Sequence, residues 1–277
     1  MRNNVSGGAF ATNGYFNLKN QNWLEKQRVA GKVVADSLSI LESLVSQATP
    51  LTALELNNMI EEYILDHKCT ATFKGYKGFP AGVCISINKE LVHGIPKDYH
   101  FQEGDVISFD LGATYDGAIA DSALTCIYGQ PKVERHSKLL EATKEALMAG
   151  IAAIKVGDHL GVIGHAIHNV AKKYKFASVT QYGGHGLDWN VPHAAPFVSN
   201  KAETNEGIRI QPGLAIAIEP MFVIDSATTK VSDDGWTVVT QDVGAHAEHS
   251  IFVHSDRVEI ITWRENSEQP KEIMFKI

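Results

Sequence analysis

Four carboxylates stand where carboxylates are costly. Asp110 ends the apolar run VISFD, Asp121 lies inside IADSALTCIY, Glu219 ends LAIAIE, and Glu248 precedes HSIFV. A buried carboxylate without a partner is strongly unfavourable, so such groups are paired or coordinate a metal. Asp110 and Asp121 are separated by the turn signal Asp116-Gly117. A hairpin folded there brings their side chains together. Each acid alone reads equally well as a solvated strand-end or turn residue. The four together, with histidines close by, read as a metal centre.

The histidines divide by their surroundings. His185 sits in Gly183-Gly184-His185-Gly186, where glycines let backbone approach a site closely. His93, in Val92-His93-Gly94-Ile95-Pro96, and His193, in Val191-Pro192-His193-Ala194-Ala195-Pro196, are held between prolines and small residues. His249, beside Glu248, is ambiguous; His165, His168 and His254 read as surface or packing residues. Four carboxylates and one imidazole make a hard, oxygen-rich donor set. It suits divalent manganese, iron, cobalt or zinc, and fits poorly with a thiolate structural zinc site. Four acids can neutralise two such ions, and two ions about 3.5–4 Å apart can activate a shared nucleophile.

The elements that must position these groups come in a repeated order: helix, helix, strands, then helix, helix, strands. Val29, Val33, Val34, Leu38, Leu41, Leu44 and Val45 recur at helical spacing between Trp23 and Gln47. Thr52 and Glu55 form a capping box for a second helix, with Leu54, Met59, Ile60 and Ile64 as its apolar face. Strands are expected at Val83–Ile87, Val106–Leu111 and Ile119–Tyr128. A third helix capped by Ser137 runs to about Lys155, and a fourth spans about Leu160 to Tyr174. Further strands follow near Gln211–Val223, Thr237–Thr240, Ser250–Val253 and Val258–Thr262. Gly104 with Asp110, and Gly213 with Glu219, repeat one pattern: a glycine, a strand, then a carboxylate six positions on. The expected fold class is α+β, with two related halves sharing one core and each pointing an acid to the centre. Residues 1–20 read as a flexible N-terminal arm and 21–277 as one catalytic domain.

Composition narrows the function. Net charge is −7, which argues against a nucleic-acid binder or a membrane-surface protein. No apolar run is long enough to span a bilayer, and the N-terminus lacks a signal-peptide design. Three widely spaced cysteines make no disulfide framework. The expectation is a soluble cytoplasmic protein.

The ordered segments Gly75-Tyr76-Lys77-Gly78-Phe79-Pro80, Val83–Asn88, Val92–Pro96, Asp110 with Asp121, Gly184-His185-Gly186, Ile218-Glu219-Pro220-Met221, Asp234-Gly235-Trp236-Thr237 and Glu248-His249 resemble those of the type I methionine aminopeptidases. The resemblance runs from about Trp23 to Trp263. It implies the pita-bread fold, two pseudo-symmetric halves around a curved antiparallel sheet. It implies two divalent ions (cobalt, manganese, iron or zinc) and removal of N-terminal methionine by hydroxide attack. Asp110 would chelate one ion, Asp121 and Glu248 would bridge both, and His185 and Glu219 would complete the second ion's shell. Glu219 would also handle protons. His93 and His193 would hydrogen-bond the scissile amide, and Tyr76, Phe79, Cys84 and Trp236 would form the methionine pocket. The last four read equally as ordinary core. The implied partners are peptide and nascent-chain N-termini, with the ribosome added on the position of the arm alone, and the implied state is a monomer.

Four departures cluster near the substrate. His185 and His193 are eight apart, where the family usually has seven. Pro192 stands where phenylalanine is frequent, Ala194-Ala195 where an acidic pair is usual, and His246-Ala247 where a glutamine-aromatic pair is usual. None removes a ligand, so they bear on specificity. A proline-directed peptidase is the alternative enzyme, disfavoured because such relatives carry a sizeable extra N-terminal domain. A non-catalytic pita-bread binding protein is the alternative outside catalysis, disfavoured because the ligand set is complete.

Overall fold

In the computed structural model of the chain, residues 16–265 and 267–275 are described. Most of the expected arm therefore lies outside the described residues. Its last residues are docked: the Lys19 backbone N–H donates to the Gly213 carbonyl at 2.6 Å, and the Lys19 ammonium meets Asp188 at 2.7 Å.

Asn20 then caps α1 (Gln21–Ser46), accepting from the Trp23 N–H. The helix buries Leu24, Val34, Leu38, Leu41 and Val45, whereas Val29, expected on that stripe, is exposed. α2 (Ala53–Asp66) starts on the Thr52–Glu55 capping box. Its buried face is Leu56, Ile60 and Ile64; Leu54 and Met59 face solvent, since they fall off the i, i+4, i+8 row that meets the sheet. α3 (Glu134–Ala152) begins three residues before Ser137. Val133 precedes it with no side-chain cap, and Glu134 puts an acid at the positive end of the helix dipole. α4 (Gly161–Tyr174) closes on Lys175 in the left-handed conformation.

Every strand pairing among the described residues is antiparallel. The strands Val106–Tyr115 and Ala118–Ile127 form a hairpin whose turn, Asp116-Gly117, has positive φ at both residues (45° and 82°). That is what the right-handed twist of a two-residue hairpin demands. In the second half, His249–Val253 pairs with Ala215–Ile218, which pairs with Gly184–Asp188 at Gly186. Gly184–Asp188 and Val191–Val198 form a hairpin the composition does not announce. Its first strand is too rich in glycine to read as β.

The shared apolar core falls into two main clusters, each of which also takes in residues from the other half, Leu187 and Phe252 in the first and Val106 in the second. α1 and α2 close a cluster with the first-half strands around Phe109, Leu111 and Leu124. α3 and α4 close another around Ile216, Ile218, Phe222 and Ile251. Between them runs a seam of side-chain hydrogen bonds. Ser250 Oγ accepts from the Asp121 N–H and donates to the Asp121 carbonyl, both at 2.8 Å. Thr125 Oγ1 likewise serves both the N–H and the carbonyl of His246, and the Glu248 N–H donates to the Ala123 carbonyl. The seam therefore fixes the backbone at Asp121 and Glu248.

Candidate metal centre

Register explains how the first two acids meet. Asp110 is paired with Ala123 and Gly112 with Asp121, so Asp110 and Asp121 are diagonal neighbours on one face. Glu248 arrives from the opposite half across the seam. Ligand atoms of Asp110, Asp121 and Glu248 lie within 4.8 Å of one another. A second group, His185, Glu219 and Glu248, meets the same limit, as does a third of Asp121, His185 and His193. Asp121, His185 and Glu248 each belong to two groups, while Asp110, His193 and Glu219 each belong to one. His185 Nε2 is 3.6 Å from Glu219 Oε1 and 3.9 Å from Asp121 Oδ2.

The glycines around His185 serve close packing. A Cβ at Gly184 would strike the Ala217 carbonyl, and one at Gly186 the Ala195 carbonyl. His93 is held by a left-handed backbone, φ 58°, followed by Gly94. Gly94 ties back through its N–H to Ser86 Oγ at 3.0 Å and through its carbonyl to the Ile85 N–H at 2.9 Å. The eight-residue step from His185 to His193 is absorbed by two register shifts in the Gly184–Val198 hairpin, and the two rings still meet edge-to-face, centroids 4.5 Å apart.

The electrostatics fit divalent cations. Asp121 is 1 % exposed, Glu248 2 %, His185 3 %, and Asp110 and Glu219 9 %. Asp110 Oδ1, Asp121 Oδ1 and Glu248 Oε1 are buried with no hydrogen-bond partner among the described residues. Burial, then the neighbouring acids, push Asp110 and Glu248 well above the usual carboxylate range. The same causes, burial first and then Glu219, raise Asp121 to about 8. Glu219 differs: burial raises it, but His246, His185 and His93 together hold it below its ordinary value. Acids with unpaired buried oxygens and disfavoured charges are what a cation site looks like without its charge compensation. The histidines are neutral bases. Burial and the neighbouring rings, against the pull of Glu219, bring His93 to about 4. Burial, His185, His93 and Lys77 bring His193 to about 2.

These groups form the floor of a cavity of about 550 Å³. One wall is apolar: Phe73, Phe79, Cys84 and Trp236 line it and pack with Ala81 and Ile95, and the Phe79 and Trp236 rings meet at 5.2 Å. Tyr76 stands edge-on to His193 at 5.3 Å. The Cys84 thiol is pushed up by burial and by Asp110, so it stays protonated and packs as a small apolar group. All residues singled out for the pocket thus line one cavity. Phe73, Tyr182, Met221 and Val238 line it as well; of these only Met221 lies in a segment that carries the resemblance, and none is singled out for the pocket. His249 points away, bonding Thr262 Oγ1 at 2.9 Å, and His254 pairs with Glu259 on the far side.

Known proteins fall in line with this geometry. The profile of "Metallopeptidase family M24" matches residues 25–255. The methionine aminopeptidase of Mycoplasma capricolum is 39 % identical over 88 % of this chain and 97 % of its own length. That of Aquifex aeolicus is 40 % identical over 88 % and 98 %. The crystal structure of the Thermotoga maritima methionine aminopeptidase superposes with a TM-score of 0.86 at 33 % identity, covering 91 % of this chain and all of that one. A prolidase from Pyrococcus furiosus shares the fold (TM-score 0.70) at 19 % identity, with 66 % of that longer chain covered. The fold is the pita-bread fold, and the chain belongs to metallopeptidase family M24 and, within it, to the methionine aminopeptidases.

Proposed function

We propose that this enzyme removes N-terminal methionine from peptides and nascent chains, using divalent cations held by Asp110, Asp121, His185, Glu219 and Glu248. The observation that carries the reading is the pair of donor groups that overlap at Glu248, beneath an apolar wall. In this reading Asp110 would hold one ion, Asp121 and Glu248 would serve both, and His185 and Glu219 would hold the other. When bound, the ions supply Lewis acidity and an acidified water as nucleophile.

The chain's own residues do the rest. The methionine side chain enters between Phe79, Cys84, Tyr76 and Trp236, where a thioether replaces water against apolar surface. His93 and His193, neutral at working pH, each offer an N–H or a lone pair to the scissile amide. An N–H aimed at the carbonyl oxygen stabilises the negative charge that grows there on attack. Glu219, kept ionised by the surrounding imidazoles, takes the proton from the attacking water. It then gives the proton to the leaving amine nitrogen as the C–N bond breaks.

Nascent chains carry their initiator methionine in the compartment where they are made, so the reading places the enzyme in the cytoplasm, working as a monomer. No helix among the described residues is long and apolar enough to cross a membrane. The ribosome enters as a partner through the same substrate, with only the position of the N-terminal arm to support it.

Initial rates on Met-Ala-Ser and Ala-Pro peptides with added manganese or cobalt test the proposal. Turnover of the methionine peptide that is lost in Asp110→Ala is expected. Preference for Ala-Pro would assign the chain to proline-directed cleavage, and inactivity on both, with metal bound, would overturn the enzymatic reading.

A further inference from the structure

His246 is a buried histidine beside Glu219 and Glu248 that the ligand and substrate assignments leave without a task. It is 1 % exposed, and neither ring nitrogen makes a well-aligned hydrogen bond among the described residues. Its backbone is clamped on both sides by Thr125 Oγ1, itself bonded to Ser108 at 2.7 Å. The ring therefore has little freedom to turn elsewhere. Its Nε2 lies 3.3 Å from Glu219 Oε2 and 3.9 Å from Glu248 Oε2.

The two oxygens of Glu219 face different ways. Oε1 looks toward His185 Nε2 at 3.6 Å, the spacing of two ligands that share an ion, whereas Oε2 looks toward His246. We infer that His246 is the positioning residue of Glu219: its Nε2–H donates to the outer oxygen, Oε2, and so aims the inner oxygen, Oε1, at the ion shared with His185. This rests on the proposed metal centre and goes beyond it by assigning a residue that the ligand set does not contain.

The tautomer follows from the surroundings. With the proton on Nδ1, Nε2 and Oε2 would face each other as two lone pairs, and a buried N–H would have no acceptor. With the proton on Nε2, a donor meets a carboxylate, and only a weaker unmet acceptor remains at Nδ1. A carboxylate oxygen held in this way keeps one rotamer and stays ionised, as a ligand must.

Three measurements on the full chain test the inference. Long-range ¹⁵N–¹H correlation of the zinc-loaded wild type reads the His246 tautomer directly; Nε2–H is expected, and Nδ1–H overturns the inference without any variant. Calorimetric titration with cobalt, from the metal-free protein, compares wild type with His246→Leu and His246→Gln. Outer partners of ligands are worth roughly 10–100-fold in metal affinity. His246→Leu should weaken one of the two cobalt-binding steps by that factor and leave the other unchanged. His246→Gln, which keeps an N–H donor, should recover most of the loss. A folded Leu variant that binds both ions like wild type overturns the inference, as does a Gln variant no better than Leu. A wild type that binds no cobalt overturns the metal centre itself, a separate failure.

Discussion

In the proposed mechanism Glu219 would carry two demands that pull against each other, and its surroundings reconcile them. A metal ligand must be ionised, and a proton carrier must accept and release. Burial alone would raise its pKa as it does for Asp110, Asp121 and Glu248, but three imidazoles offset that. Glu219→Gln keeps the shape and loses the charge. It should lower kcat by about 10²–10⁴-fold, the usual worth of a positioned acid–base group. Steady-state rates at saturating metal give the check, and a variant within threefold of wild type would remove Glu219 from proton transfer. The histidines give a second expectation. Their pKa values, about 4 for His93 and about 2 for His193, lie below the ordinary 6.5. Both stay neutral as pH falls from about 8 to 5, where an unperturbed imidazole would charge. The kcat/KM profile of the metal-loaded enzyme should thus carry no imidazole limb in that range. A limb near neutral pH that vanishes in His93→Asn would show that the ring titrates after all.

At the level of strands and helices, the site depends on backbone placed by residues with no chemistry of their own. Gly186 is the clearest case: its missing side chain lets the Ala195 carbonyl sit against the strand that carries His185. Gly186→Ala forces a Cβ into backbone that cannot swing aside. The expected cost is about 1–3 kcal/mol of stability, with weaker metal binding because the His185 ring is displaced. Chemical denaturation and metal titration of one preparation check both parts; unchanged metal affinity would mean that the strand absorbs the methyl. Such residues mark the limit of what sequence discloses. Asp110, Asp121, Glu219 and Glu248 were legible because a charged group in an apolar strand is anomalous wherever the strand lies. The hairpin at Asp116-Gly117 was legible because its turn type needs those residues. Phe73, Tyr182, Met221 and Val238 were not, because an apolar residue in a strand reads the same whether it faces a core or a cavity. The Gly184–Val198 hairpin was hidden for a related reason: its glycines are set by contact with distant backbone, which lowers local β propensity. His246 could be seen as a departure from the family pattern, but its role needed the distance to Glu219.

For the molecule as a whole, the candidate metal centre sits at the seam between the two halves, so completing the fold brings the acids of both halves close together. Repulsion among those acids is then a property of the native state and absent from the unfolded chain. A carboxyl with a higher pKa folded than unfolded keeps its proton in the native state after the unfolded chain has lost it. Below about pH 4 both forms are protonated and nothing is gained. Between about 4 and 8, taken from the ordinary 3.8 and the raised value of about 8 for Asp121, native binds more protons than unfolded, and stability falls as pH rises. Glu219, lowered instead of raised, acts in the opposite sense and only at the acid end of that range. The metal-free protein should therefore lose Tm steadily from about pH 5 to 8, and Asp121→Asn should flatten that slope. Divalent cations bind the deprotonated acids, so their stabilisation should grow over the same range. At a hundredfold excess over Kd it amounts to about 2.7 kcal/mol per ion, or about 5–10 °C for a chain of this size. Calorimetric scans across pH, with cobalt and with chelator, give both curves. A gap between them that stays constant or narrows as pH rises would mean that the four acids are not repelling one another in the metal-free fold, and that the cations stabilise the chain by some route other than relieving their charge.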